Sequence, residues 1–391
     1  MEEISKKIFC PTKLRGFQKH LLKEIEKDFK VELKEEIFFE KISLKKLILS
    51  RIVRSKIADL LGIIQVIKVT KNCDLVFSYN RFIKGKKYLI NLENPTALFH
   101  YSLNRNKTFL GKRILKKELK SPKLKKIICI SKACASTAFQ ILNENITEEK
   151  IIQIYPLIEN LNISEKELIE KSNRKKIKLL FISSEFYLKS GKEILDAFYE
   201  IDSLNIELTI ITQIDKLKVK ELEQIKLNKK IKLLEFNLTF DELQQEYKSA
   251  NILLHPTRQD SFALVVLEGI KNGLPCIGTN VYAIPEIIEN NENGFLIEPR
   301  FFFFDRNNIP NPNVWNNRKK TIYSEYIDYN ITKFIKEKIL LYYFDRNLLY
   351  QHSRNSYLKS INQDFSSSEI LEKWKEILEE VFNEKNISSR L

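Results

Sequence analysis

The stretch Asp260–Asn280, DSFALVVLEGIKNGLPCIGTN, decides the fold. Two carboxylates, Asp260 and Glu268, bracket a run of seven mostly apolar residues, and Gly273 and Pro275 then cut the pattern. The preceding residues 251–259, NILLHPTRQ, read as a strand running into a loop. Asp260 and Ser261 then form an N-cap pair for a helix from Ser261 to about Asn272, which Gly273 ends and Pro275 prevents from continuing. LPCIGTN (274–280) is the next strand.

In such a helix Asp260 stands at the mouth, where unpaired backbone N–H groups and the positive dipole end favour negative charge. Glu268 falls about 12 Å further along the axis and about 80° around it, so the two acids do not touch. They suit opposite ends of one elongated ligand, with an anionic group held near the helix N-terminus. A nucleoside diphosphate sugar has that layout: sugar hydroxyls, a pyrophosphate, then the ribose diol.

Outward from this stretch the chain alternates strands and amphipathic helices. Upstream lie the strand KIKLLFISS (176–184), the helix GKEILDAFYEI, the strands IELTIITQ and KIKLLEF, and the helix TFDELQQEYKSA. The first half repeats the rhythm with CDLVFSY (73–79), KYLINLE (87–93), KKIICIS (125–131), the helix KACASTAFQILN and KIIQIYP (150–156). Alternation twice over implies two open parallel sheets with helices on both faces. At 391 residues the chain exceeds one ordinary hydrophobic core, which agrees with two domains. The boundary falls after Pro156, in the polar stretch ENLNISEKELIEKSNRKK. The expected division is 1–160, 161–360 and a C-terminal helix within 361–391 whose apolar spacing, Trp374 included, is that of core packing.

Composition excludes several classes. Apolar residues at 43% and charged residues at 30% describe a globular chain. The longest apolar runs fall short of a membrane span, and the acidic start MEEISKKIFC has no signal-peptide pattern, so a cytoplasmic location is expected. The five cysteines are scattered without a C-x-x-C pair and the four histidines are dispersed, which points to reduced thiols and no metal site. Charge is uneven: residues 1–160 carry 33 Lys and Arg against 17 Asp and Glu, and the remainder 33 against 34. Basic stretches such as SRIVRSK, RFIKGKK and GKRILKKELKSPKLKK form either an ordinary lysine-rich surface or a face for an anionic partner, lipid headgroups or a pyrophosphate-linked acceptor. They are not arranged as a recognition helix, and no nucleic-acid motif accompanies them, so nucleic acid is not an expected partner.

Residues 177–299 resemble the donor-binding domain of the GT-B glycosyltransferases, specifically retaining family 4. The carrying segments are FISSEFYLKSGKEILDAF, FDELQQEYKSANILLHPTRQDSFALVVLEGIKNGLPCIGTN and IPEIIENNENGFLIEP. The resemblance implies two Rossmann-like domains facing a cleft, the C-terminal helix packing across to the first, with transfer of a hexose-type sugar from a nucleotide diphosphate sugar and retention of configuration. It implies that Asp260 and the amides of Ser261, Phe262 and Ala263 bind the sugar, that Glu268 binds the ribose, and that Lys189 meets the diphosphate. It implies no cofactor and no divalent metal. A glycan or lipid-linked acceptor, approached through the basic first domain at the inner face of a membrane, completes the expectation.

The departures from the family pattern are specific. Asp260 replaces the usual Glu, and Ala263 stands where Gly usually follows the Phe. Ser184 occupies the place of a second, cationic diphosphate contact, and Tyr282-Ala283-Ile284 replaces a Gly-rich stretch. The first half lacks a glycine-rich acceptor loop, and Glu93 stands about where many members have a histidine. Glu93 and His100, in NLENPTALFHY, are the acceptor-side candidates. Gly191 and Gly294 serve turns rather than ligands. A catalytically weakened nucleotide-sugar or glycan-binding partner subunit is the alternative to an active transferase.

Overall fold

The computed structural model describes residues 6–34, 52–53, 55–142 and 148–383. Residues 1–5 of the acidic start, Arg51 and Arg54 of the SRIVRSK run, and Asn143 at the end of the KACASTAFQILN helix lie outside the described residues. The chain divides into two compact units, the first made of residues 1–157, 307–309 and 367–391, the second of 158–306 and 310–366.

The first unit contains β1 (Lys7–Cys10), β2 (Lys30–Leu33), β3 (Val66–Lys68), β4 (Leu75–Tyr79), β5 (Phe82–Lys84), β6 (Tyr88–Leu92), β7 (Leu124–Cys129) and β8 (Ile151–Gln153). Six of these form a parallel sheet in the order β2-β1-β4-β6-β7-β8, while β3 and β5 pair separately. The central strands β4 and β6 are buried nearly throughout, as strands covered by helices on both faces must be. The terminal helix Ser367–Asn383 belongs to this unit, with Trp374 against Phe77 at 5.6 Å between ring centroids.

The second unit contains β9 (Ile177–Ile182), β10 (Ile206–Thr212), β11 (Ile231–Glu235), β12 (Ile252–His255), β13 (Cys276–Thr279) and β14 (Gly294–Ile297). Its parallel sheet runs β11-β10-β9-β12-β13-β14. β-Branched runs such as IELTIIT suit a pleated sheet, and the core forms around Phe181, Phe198, Ile210, Leu254 and Ile277. Helix starts follow local chemistry. The Glu165–Ser172 helix opens with a capping box of Ser164 and Glu167, and the Phe240–Ser249 helix with one of Thr239 and Glu242. Gly191 and Gly294 answer to close packing rather than to turns: a Cβ on Gly191 would meet the Phe186 ring at 2.4 Å, and one on Gly294 would meet the Cys276 carbonyl at 2.4 Å. All five cysteines are buried free thiols. No helix among the described residues is long and apolar enough to cross a membrane.

Strand order positions the site. From β9 the chain winds outward through β10 and β11, then returns to lay β12 on the other side of β9. The loops that follow β9 and β12 therefore leave the same C-terminal edge of the sheet in opposite directions. Such a reversal point opens a crevice where open parallel sheets bind ligands.

Candidate functional site

The loop after β9 carries Ser184 and Lys189, and the loop after β12 carries Asp260. The two are laced together by backbone, Arg258 N–H donating to the Leu188 carbonyl at 3.0 Å. Lys189 Nζ donates to Asp260 Oδ2 at 2.5 Å and to the Gln259 carbonyl at 2.6 Å. The other carboxylate oxygen, Asp260 Oδ1, accepts the backbone N–H groups of Ser261, Phe262 and Ala263 at 2.8, 3.2 and 2.9 Å. Residues separated by 71 positions thus form one half-buried ion pair.

His255, the last residue of β12, completes this cluster with Nε2 3.1 Å from Asp260 Oδ2. Burial pulls the imidazole pKa down and the nearby Lys189 charge adds to this, against the opposing hydrogen bond and charge of Asp260, so the ring is neutral at neutral pH. Since the ionised carboxylate only accepts, the Nε2 position carries the proton, and Nδ1 is left as a buried acceptor without a partner. Burial by itself would raise the Asp260 carboxyl, but the Lys189 charge and the bonds from His255 and Lys189 outweigh it and hold the carboxyl well below the usual range.

The helix does not begin where the sequence places it. It runs Leu264–Lys271, and Ala263 before it takes a left-handed backbone with φ 65° and ψ 64°. Ser261, Phe262 and Ala263 are therefore a turn gathered around Asp260 Oδ1 rather than the first helical turn, and Asp260 caps that turn instead of the helix. The helical distance to Glu268 shrinks accordingly, to about 6 Å from Leu264. Among the described residues the N–H groups of Leu264 and Val265 find no protein acceptor, and so are placed to receive an anion.

Glu268 is half-buried on this helix, and Tyr247 Oη donates to its Oε2 at 2.6 Å. Burial raises the Glu268 pKa, with the Tyr247 bond pulling the other way. Ser184 is half-buried beyond β9 and makes no side-chain hydrogen bond among the described residues; being uncharged, it adds no second cation to Lys189. Phe262 and Ala263 are buried, and Ser261 is half-buried beside Asp260.

Sequence reasoning missed His255, Tyr247 and the ion pair of Arg258 with Glu193. The Arg258 guanidinium is buried, donates to Glu193 Oε1 at 2.7 Å and to the carbonyls of Ser324 and Tyr326, and lies 4.0 Å over the Tyr326 ring. It locks the loop between β12 and Asp260 in place. The available signal was Glu193 itself, an acid on the apolar face of the Gly191–Tyr199 helix.

In the first unit, Glu93 follows β6 and is nearly buried. Its carboxylate accepts Tyr79 Oη and pairs with Arg15 Nη2 at 3.1 Å, and its N–H donates to Asn80 Oδ1 at 2.9 Å. This cluster sits where that sheet also reverses, between β1 and β4. His100 closes the 3-10 turn Pro95–Phe99 with left-handed backbone and is half-buried. Among the described residues no three His, Cys, Asp or Glu side chains gather as a metal site requires.

Residues 163–300 match the family model described as glycosyl transferases group 1. The chain is similar to the GtfA subunit of the UDP-N-acetylglucosamine–peptide N-acetylglucosaminyltransferase of Streptococcus pneumoniae, 28% identical over 144 residues, which are 37% of this chain and 24% of that protein. It spans between 12% and 57% of the length of the curated relatives it matches. Among solved structures, HepE from Anabaena in complex with UDP and glucose aligns with a TM-score of 0.60 at 14% identity, covering 96% of this chain and 100% of that one. WaaG, a glycosyltransferase involved in lipopolysaccharide biosynthesis, aligns with a TM-score of 0.59 at 14% identity, covering 95% and 99%. The fold is GT-B, two parallel-sheet α/β domains, and the group 1 model falls on the second of the two sheets.

Proposed function

We propose that the protein is a glycosyltransferase that takes a hexose-type sugar from a nucleoside diphosphate sugar and passes it, with retention of configuration, to a glycan or lipid-linked acceptor in the synthesis of a surface polysaccharide or glycolipid. The observation that carries this is the meeting of Lys189 and Asp260 at the reversal point of the second sheet, beside the open end of the helix bearing Glu268.

Lys189, the helix N-terminus and Glu268 have capacity left for a ligand. An ammonium has three N–H donors, and Lys189 spends two of them on Gln259 and Asp260, so one remains for a phosphate oxygen. The Leu264 and Val265 N–H groups would share the charge of the leaving diphosphate, which is where preorganised donors lower a barrier most. Glu268 Oε1 would accept a ribose hydroxyl while Tyr247 holds Oε2. Asp260, whose carboxylate already accepts five hydrogen bonds, would meet the sugar hydroxyls by exchanging one of these, its charge set by Lys189. No metal ion enters the proposal, because these cationic and N–H groups take the part a metal would otherwise take. The basic surface of the first unit would meet an anionic membrane that carries the acceptor. HepE, whose complexes hold UDP and glucose, supports the donor side of the reading.

A second reading, a weakened protein that binds a nucleotide sugar or glycan as a partner subunit, is favoured by the uncharged Ser184 and by the occupation of Lys189 by Asp260. A melting-temperature screen of nucleoside diphosphates and their sugars tests the first step. A ligand at a hundred times its Kd stabilises the fold by about 2.7 kcal/mol. If no nucleoside diphosphate raises the melting temperature, the donor site is misassigned. If one does, but its sugar conjugate is neither hydrolysed nor transferred, the partner-subunit reading replaces the enzymatic one.

A further inference from the structure

We propose that Lys271 is a positioning residue that fastens two of the segments through which the chain passes between its units, those near residues 158 and 366, to the helix bearing Glu268, so that a ligand seated at Glu268 is felt at both segments. The ligand part of this rests on the nucleotide reading above; the fastening does not.

Lys271 follows Glu268 by three residues on the Leu264–Lys271 helix, so the two are neighbours one turn apart. Its side chain is almost wholly buried, with 1% of its surface exposed. Its Nζ donates to the Ser360 carbonyl at 2.6 Å, the Phe365 carbonyl at 2.7 Å and Asn160 Oδ1, three acceptors for three N–H groups. No carboxylate pairs with it among the described residues, and burial pulls the amine pKa down to about 7. An apolar side chain would fill the same volume without the cost of burying an ammonium. The lysine therefore adds a directional hold on three particular oxygens.

Those oxygens mark two of the four crossings, the other two flanking residues 307–309. Asn160 lies just past residue 158, where the chain enters the second unit, and Ser360 and Phe365 lie just before residue 366, where it leaves. The residues just after Lys271 are held as well. Lys171 Nζ donates to the Asn272 carbonyl at 3.0 Å, and Ser353 Oγ to the Gly273 carbonyl at 2.5 Å. Tyr357 also holds the first crossing, its hydroxyl donating to the Leu161 carbonyl at 2.7 Å and accepting from Ile163 N–H at 3.1 Å. A helix pinned in this way transmits a load on Glu268 to the crossings instead of absorbing it.

Hydrogen exchange of the full chain, read by mass spectrometry with and without UDP, decides the matter for wild type, Lys271→Met and Asn160→Ala. Without nucleotide, Lys271→Met should speed exchange about tenfold in peptides 158–163 and 361–366 while β9, β10 and β12 stay within about twofold. Asn160→Ala, which leaves the buried lysine in place, should loosen 158–163 alone, and it keeps the question answerable if Lys271→Met does not fold. With UDP, wild type should gain protection at both segments, and Lys271→Met should bind UDP but gain none there. The proposal fails if neither variant changes either segment, if exchange rises equally across the central strands, if UDP binds wild type without reaching the segments, or if Lys271→Met keeps the UDP response. Absence of nucleotide binding in wild type would instead refute the donor-site reading, with the fastening still judged from the nucleotide-free samples.

Discussion

Asp260→Asn separates what a helix cap would do from what this carboxylate does. A cap is indifferent to the change, because Asn caps as well as Asp, so sequence reasoning expects a loss within about 1 kcal/mol. The structure divides the carboxylate into two working halves. Oδ1 holds three backbone N–H groups, and the Asn carbonyl oxygen can hold them too. Oδ2 holds the Lys189 ammonium and the His255 Nε2–H, and there the variant puts an NH2 group against two donors. The charge-assisted bond is worth about 1.5–3 kcal/mol, and the pair is only partly buried, so the expected loss is about 2–3 kcal/mol. For a unit of this size that lowers Tm by about 4–12 °C. Calorimetric melting of wild type, Asp260→Asn, Lys189→Met and the double variant gives the assay, with a coupling of about 1–2 kcal/mol expected between the two sites. Asp260 titrates below its unfolded value, so its contribution is complete above about pH 4 and lost only as pH falls through the lower native pKa. The gap between wild type and Asp260→Asn should therefore be flat from about pH 6 to 8 and close in acid. Additive single variants, or an Asp260→Asn protein that melts like wild type, would refute the ion pair.

Glu268→Gln should weaken nucleoside diphosphate binding about tenfold to a hundredfold by calorimetry, as a charge-assisted bond to a ribose hydroxyl is worth about 1.5–3 kcal/mol; unchanged affinity would remove the ribose role. Ala263→Gly should raise stability by about 0.5–1 kcal/mol, since left-handed backbone costs an L-residue about 1–2 kcal/mol and glycine returns part of this as chain entropy; a lower Tm would mean that the methyl group packs to more effect than the strain. Transfer, measured as release of the nucleoside diphosphate, should survive EDTA; loss in EDTA restored by magnesium or manganese would overturn the metal-free proposal. Co-sedimentation with anionic vesicles should occur at low salt and fade as salt rises, with each well-placed base worth about 1 kcal/mol; equal binding to neutral vesicles would leave the basic surface without a lipid role.

The sequence by itself determined whatever depends on neighbours within a turn or two. The β-branched runs, the helix opening at Thr239, and the stop at Gly273 and Pro275 placed strands and helices because those preferences are local, while the Glu165–Ser172 helix, capped by Ser164, lay unread in the polar boundary stretch. Two departures from the family pattern are conformational: Ala263 and Tyr282 stand where glycine is usual, and both take left-handed backbone, with the Tyr282 ring stacked on Phe304 at 4.0 Å. The start of the Glu268 helix was misplaced for a related reason, since nothing in SFAL announces that Asp260 will collect three amides and turn the chain before the helix begins. Only the tertiary structure decided that β12 lies beside β9, and so that Lys189 and Asp260 meet. It likewise decided that His255 is neutral, that Arg258 finds Glu193, and that Tyr247 faces Glu268. Strand order comes from how whole helices cover a sheet, and desolvation from every atom packed around a group. Neither is written in the spacing of residues along the chain.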